Sequence, residues 1–303
     1  MPRGTLLGLT VESAFPLVAV PEGSGAGRPV RLERVTRERL DGLWPSSGAR
    51  RTNEQRFPSG RLAVGVDHHP EAGYRIRTPR HGHYVISLDG HDVVCAAPDV
   101  ADWRWQRMLL SQALPVAATA QGLELLHASG VTLGDGAIGI AGNSGSGKSS
   151  LGAHLVLRGA GFLTDDVLAL EEGDGVLMAH PGAAAISLRA SEADARLGRR
   201  IGTARKSLYE VERDGRVLPL RALYFPAPAD GEPRIDPFAP TFPDLVRHNF
   251  NWNVSTSKRL EQLLHTASAI SASVASYSVT VPPGADWAAI ADLVERHAES
   301  LDT

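Results

Sequence analysis

The sequence predicts an α/β protein in two parts: a strand-rich N-terminal region, then a region where strands and helices alternate. Three observations predict it. Gly142-Asn143-Ser144-Gly145-Ser146-Gly147-Lys148-Ser149 completes the spacing G-x-x-x-x-G-K-[ST] between a buried apolar run and an amphipathic run. Short apolar segments cut by Gly, Pro, Asp and His turns fill the first 98 residues. Beyond about residue 116, strand and helix patterns alternate loosely.

In the first region, residues 1–98, Leu6 to Val11, Leu62 to Val66, Tyr74 to Ile76, Tyr84 to Leu88 and Val93 to Ala97 have strand character. Asp89-Gly90 signals a hairpin between the last two. Pro45 to Gly60 is polar and turn-rich and reads as a loop. A connecting helix over residues 99–115 follows, running from about Val100 with Asp99 as its N-cap, and Pro115 should kink or end it.

The second part spans 116–303. Leu123 to His127, Val131 to Leu133 and Ala137 to Ala141 read as strands, the last two joined by a Gly134-Asp135-Gly136 turn. The run Ser149 to Arg158 puts Leu151 and Leu155 on one helical face, and Gly159 stands where the helix should stop. Phe162 to Leu170 reads as one further strand, and Ser191 opens a short helix. Leu260, Leu263, Leu264 and Ala267 mark an amphipathic helix. Ala275 to Val281 alternates as a half-buried strand, and Asp286 caps a last helix bearing Trp287, Ile290, Ala291 and Val294.

Composition narrows the function classes. With 31 Lys and Arg against 34 Asp and Glu, the net charge is -3, and no broad basic surface marks nucleic acid as a partner. The single cysteine, Cys95, excludes an internal disulfide framework and a cysteine zinc site. No apolar run approaches a membrane span, so no membrane partner and a cytoplasmic setting are expected. The pairs His68-His69 and His81/His83 lack matched carboxylate or cysteine partners for a metal.

The chemistry of the loop follows from its residues. Its glycines let backbone N–H groups approach phosphate oxygens, and the following helix start favours an anion. Residues Gly142 to Ser150 are thus the candidate nucleotide-binding segment, with Lys148 as phosphate clamp and Ser149 as a magnesium ligand. Seventeen positions after Lys148, Thr164-Asp165-Asp166 sits in an apolar setting. Carboxylates there are costly to bury unless they meet a metal, a cation or a donor. Phosphoryl transfer needs both an acidic group for the metal and an oriented base. Adjacent residues of a strand face opposite ways, so the two aspartates should do different jobs. His127, fifteen positions before Gly142, could tune that base.

Together, His127-Ala128-Ser129-Gly130, the loop, Arg158-Gly159 and Thr164-Asp165-Asp166 resemble the HPr kinase/phosphorylase family, whose catalytic domain shares a P-loop architecture with the phosphoenolpyruvate carboxykinases. The resemblance covers about Leu123 to Leu170 and implies a mixed, largely antiparallel sheet with helices, with ATP and Mg²⁺ as donor and metal. It implies Asp165 as the acid/base taking the proton of an acceptor serine, His127 beside the reacting phosphate, and Asp166 at the metal, with the aspartate roles exchangeable. No counterpart of that family's acidic-Arg-Gly-x-Gly segment lies between Ala183 and Glu210, which points to its stand-alone relatives. Some of those phosphorylate a serine of a biosynthetic precursor peptide. The expected partner is therefore a peptide or protein with an acceptor serine, and a homo-oligomer stays open. Lys206 and Arg259 are candidate extra cations. A kinase for a small metabolite and a nucleotide-gated peptide-binding module are the alternatives.

Overall fold

The computed structural model describes residues 3–23, 25–99, 102–192, 194–250 and 254–301. The chain divides into two units, Met1–Leu123 with Asn251–Leu260, and Glu124–Phe250 with Glu261–Thr303. No helix among the described residues is long and apolar enough to cross a membrane.

The first unit is built on one eight-stranded sheet. Its elements are β1 (Arg3–Leu6), β2 (Leu9–Ser13), β3 (Arg28–Arg34), α1 (Arg37–Gly42), β4 (Arg50–Arg56), β5 (Leu62–His69), β6 (Gly73–Thr78), β7 (Gly82–Ile86) and β8 (Asp92–Ala96). The sheet order is β1-β2-β3-β8-β7-β6-β5-β4, with β2, β3 and β8 parallel and the rest antiparallel. Three expectations change here. Leu6 to Val11 is not one strand: Leu7 and Gly8 take left-handed backbone (φ 54 and 74°) and turn the chain into a hairpin. The polar stretch Pro45 to Gly60 holds β4, an edge strand whose charged side chains gave no apolar signal. The connecting helix starts at Trp103, capped by Asp102; Val100 lies outside the described residues. It runs through α2 (Trp103–Met108), a π turn (Leu109–Ala113) and α3 (Leu114–Ala120), so Pro115 neither ends nor sharply stops it. The wider π register accommodates a residue that cannot donate to the preceding turn. Cys95 is fully buried, and burial pushes its thiol up to about 12.

The second unit opens with β9 (Glu124–Leu126), β10 (Ala128–Leu133) and β11 (Gly136–Ala141), followed by α4 (Lys148–Leu157). Next come β12 (Gly161–Thr164), β13 (Leu168–Gly173), β14 (Val176–His180), β15 (Ala185–Leu188), β16 (Arg199–Thr203), β17 (Ser207–Glu210), β18 (Leu218–Pro228), β19 (Ile235–Pro237), α5 (Phe242–Arg247), α6 (Ser257–Ser273, in this unit from Glu261), β20 (Ala275–Val281) and α7 (Trp287–Ser300). β11, β18 and β20 run parallel, with β10 and β12 added antiparallel beyond β11. The start of β18 also pairs with β14, which leads through β13 to β9. β15, β17 and β16 form a separate small antiparallel sheet. This is a mixed sheet with helices.

Period-two alternation sorts the core. Ile138 and Ile140 of β11, with Tyr224 and Val279, pack under Leu151 and Leu155 of α4 and Ile290 and Val294 of α7. On the other face Leu163, Leu168, Leu223, Leu245, Ala267 and Ile270 close a second layer. Gly139 has no side chain because Leu223 and Leu168 fill the space a Cβ would take. Arg158, at the end of α4, reaches Asp292 (2.7 Å) and Glu295 (2.6 Å) of α7. Arg158 thus clasps the two helices on one face of the sheet.

The expected single strand Phe162 to Leu170 is two strands. The chain leaves β12 at Thr164, turns through Asp165-Asp166, and re-enters as β13 in a different part of the sheet. Asp166 takes left-handed backbone (φ 73°), and the Thr164 hydroxyl donates to the Val167 carbonyl at 2.6 Å across the turn.

Candidate active site

β11 delivers its last residue, Ala141, into the glycine loop, and α4 begins at Lys148. Gly145 and Gly147 have φ of 90 and 95°, a left-handed region most side chains avoid. No side chain caps the start of α4, so its first-turn amides remain available to an anion. The Ser146 hydroxyl is buried within the loop without a hydrogen-bond partner among the described residues.

Lys148 is only 7% exposed. Its ammonium folds back to donate to the carbonyls of Gly142 (2.8 Å) and Asn143 (3.2 Å), and lies 3.3 Å from His127 Nε2. An ammonium only donates, so Nε2 accepts and the His127 proton sits on Nδ1. That nitrogen faces Asp166, 3.0 Å from its carbonyl and 3.2 Å from its carboxylate. Burial lowers the Lys148 pKa, while Asp166 and Asp165 pull it back up.

The turn between β12 and β13 sends the two carboxylates to different places. Asp165 points inward: Oδ1 accepts from the hydroxyls of Ser129 (2.7 Å) and Ser149 (2.8 Å), and Oδ2 from the Ser187 N–H (3.1 Å). Burial raises its pKa above the ordinary carboxylate value, the neighbouring Asp166 adds to this, and the three hydrogen bonds oppose it. The Asp166 side chain is 46% exposed and lines a cavity of about 180 Å³. That cavity is bounded by His127, Ser144, Gly145, Gly147, Lys148, Ser149 and Ser150.

The structure therefore gathers Lys148, Ser149, Asp165, Asp166 and His127 at one place. Lys206, a candidate from sequence, lines the same cavity, whereas Arg259 is a buried residue near the start of α6. Asn143 and Ser146 border a second, larger cleft on the other flank of the loop. Sequence reading did not single out Ser129, Ser187, Arg189 or Glu192 as site residues, nor Trp287 beyond its place on the last helix. Ser129 lay inside a quoted motif; the other four arrive from chain segments with no motif of their own. Trp287 packs its ring over Gly147, where a Cβ would collide with it.

The oxygen donors Ser149 and Asp166, both on the cavity wall, have the hard character that Mg²⁺ selects. With the glycine backbone and Lys148 they suit a phosphate chain and its metal.

No family model matches the chain, and no curated protein matches it. Among solved structures, the Hpr(Ser) kinase/phosphatase from Coxiella burnetii is similar over 59% of this chain and 93% of that one, at 13% identity and a TM-score of 0.37.

Proposed function

We propose that the chain is a kinase that moves the γ-phosphate of ATP to a hydroxyl acceptor, a serine of a peptide or protein. One observation carries the reading: the glycine loop, Lys148, Ser149, Asp166 and His127 line a single polar cavity, and Asp165 accepts a hydrogen bond from Ser149. The motif set that resembles HPr kinases supports the serine acceptor.

Ser149 and Asp166, both on the cavity wall, would hold Mg²⁺, which when bound would neutralise charge on the phosphate oxygens. The loop amides and the Lys148 ammonium, released from the Gly142 and Asn143 carbonyls, bind the outer phosphates. The acceptor oxygen forms the new bond to the γ-phosphorus as the bond to the β-bridging oxygen breaks, leaving ADP. Asp165 takes the acceptor's proton, since burial and then the charge of Asp166 raise its basicity above that of an ordinary carboxylate. Lys206 and Arg189 add positive charge on the cavity wall, where an anionic transition state gains most. A second reading exchanges the aspartates. It is favoured by Asp166 lining the cavity beside His127, while Asp165 is committed to Ser149.

The test incubates purified protein with ATP, Mg²⁺ and peptides encoded beside its gene, and reads mass. An added phosphate on a serine is expected, lost in Lys148→Ala. ADP accumulating with no peptide modified would favour the nucleotide-gated binding module instead.

A further inference from the structure

The loop has two flanks, and the proposed chemistry occupies one of them. Against the other lies a cleft of about 480 Å³, within the range of about 300–1,000 Å³ usual for small-molecule sites. Gly142 to Ser146 form one wall. Phe225, Phe238 and His248 form another, arriving from β18, from the segment after β19 and from the end of α5. Their rings are mutually packed: Phe225 to Phe238 at 5.1 Å in a T shape, and Phe225 to His248 at 5.8 Å. Ser144 and Gly145 belong to both cavities, so a molecule laid across the loop tip reaches from one into the other.

The chemistry of this cleft differs from that of the cation-lined cavity. Its aromatic and proline walls offer π-faces and apolar contact, and among the described residues neither lysine nor arginine lines it. His248 is held toward its neutral form by burial, then by the charge of Lys148. Its polar feature is Asp244, whose Oδ2 accepts from the Thr241 N–H (2.9 Å) and hydroxyl (2.6 Å). Oδ1 lies 3.9 Å from the Arg247 guanidinium, beyond hydrogen-bond distance, so it keeps acceptor capacity that suits an exocyclic amine.

From this we infer that the cleft is the nucleoside subsite, taking the adenosine of the donor beside Phe225, Phe238 and His248 with its amine edge toward Asp244. The inference rests on the kinase reading and sharpens it, because such a donor is a nucleoside triphosphate and not pyrophosphate.

Calorimetry on the full chain tests it with two probes, ATP and inorganic tripolyphosphate, each with Mg²⁺. Phe238→Ala removes a ring, and Ala227→Phe fills the cleft from β18. Both should weaken ATP by about tenfold, the size expected for one base–aromatic stack, and leave tripolyphosphate unchanged. Unaltered ATP affinity in both variants overturns the inference, as does equal weakening of the two probes. Loss of acceptor-peptide binding with ATP affinity intact would assign the cleft to the acceptor and overturn it as well. Failure of the kinase reading looks different: tripolyphosphate would not bind the wild type, or Lys148→Ala would leave both affinities untouched.

Discussion

Asp165 carries a raised pKa for two reasons that can be separated by mutation, burial first and the charge of Asp166 second. Asp166→Asn removes only the second. If Asp165 is the base, activity falls as pH drops through its pKa, and the variant should shift that acid limb of kcat/KM to lower pH while keeping transfer. If Asp166 is the base, transfer is lost and there is no limb to shift, so one pH profile separates the readings. Stability gives an independent check. A carboxyl whose folded pKa lies above its unfolded value is penalised when ionised. That penalty is complete above the folded pKa and vanishes as pH falls below the unfolded one. In the Lys148→Ala background, where the attraction of Asp166 for that ammonium is gone, Asp166→Asn should therefore raise the melting midpoint at neutral pH, with the gain shrinking on acidification. Lys148 acts differently, as a compact buried point charge folded onto the loop carbonyls. Lys148→Ala should cost on the order of 10²–10³ in kcat/KM. Lys148→Arg should not rescue it, because the planar guanidinium does not fit a site shaped for an ammonium.

Between β11 and α4 the glycine loop is held by an element far away in sequence, since Trp287 at the start of α7 covers Gly147. Gly147→Ala faces two obstacles: a left-handed backbone costing about 1–2 kcal/mol, and a methyl directed into the indole. Trp287→Ala removes the second alone. The double variant should recover part of the nucleotide affinity lost in Gly147→Ala; strictly additive losses would show that the ring is not the obstacle. The same elements show what a sequence makes legible. Strand, loop and α4 could be read because glycines at fixed offsets and apolar period 3.6 are local signals. The break between β12 and β13 could not, because Phe162, Leu163, Val167 and Leu168 are apolar on both sides of the turn and read as one run. β4 was hidden for the opposite reason, being an edge strand of charged and polar residues. Ser187 and His248 join the site by tertiary approach, Ser187 through its backbone N–H, and no spacing rule marks either of them. Arg158, quoted with the motif set, holds α4 to α7 by ion pairs.

For the chain as a whole, binding and stability are linked by mass action. A ligand at about one hundred times its Kd stabilises the folded form by about 2.7 kcal/mol. For a unit of this size that corresponds to a rise of roughly 5–10 °C in the midpoint at about 2–4 °C per kcal/mol. The residues that would hold ATP all belong to the second unit, at the ends of β11, β18 and the β12–β13 turn. Because the chain has two units, a single melting curve mixes their transitions, and hydrogen exchange resolves them. ATP with Mg²⁺ should slow exchange across 142–150, 163–167 and 225–228, and Lys148→Ala should abolish both that protection and the thermal shift. Tripolyphosphate should protect the first two segments but not the Phe225 and Ala227 amides of the third, which line the aromatic cleft and not the cation-lined cavity. Protection of 225–228 by tripolyphosphate would mean that the strand end reports loop closure. An ATP response that survives in Lys148→Ala would mean that the nucleotide is anchored elsewhere than on the glycine loop.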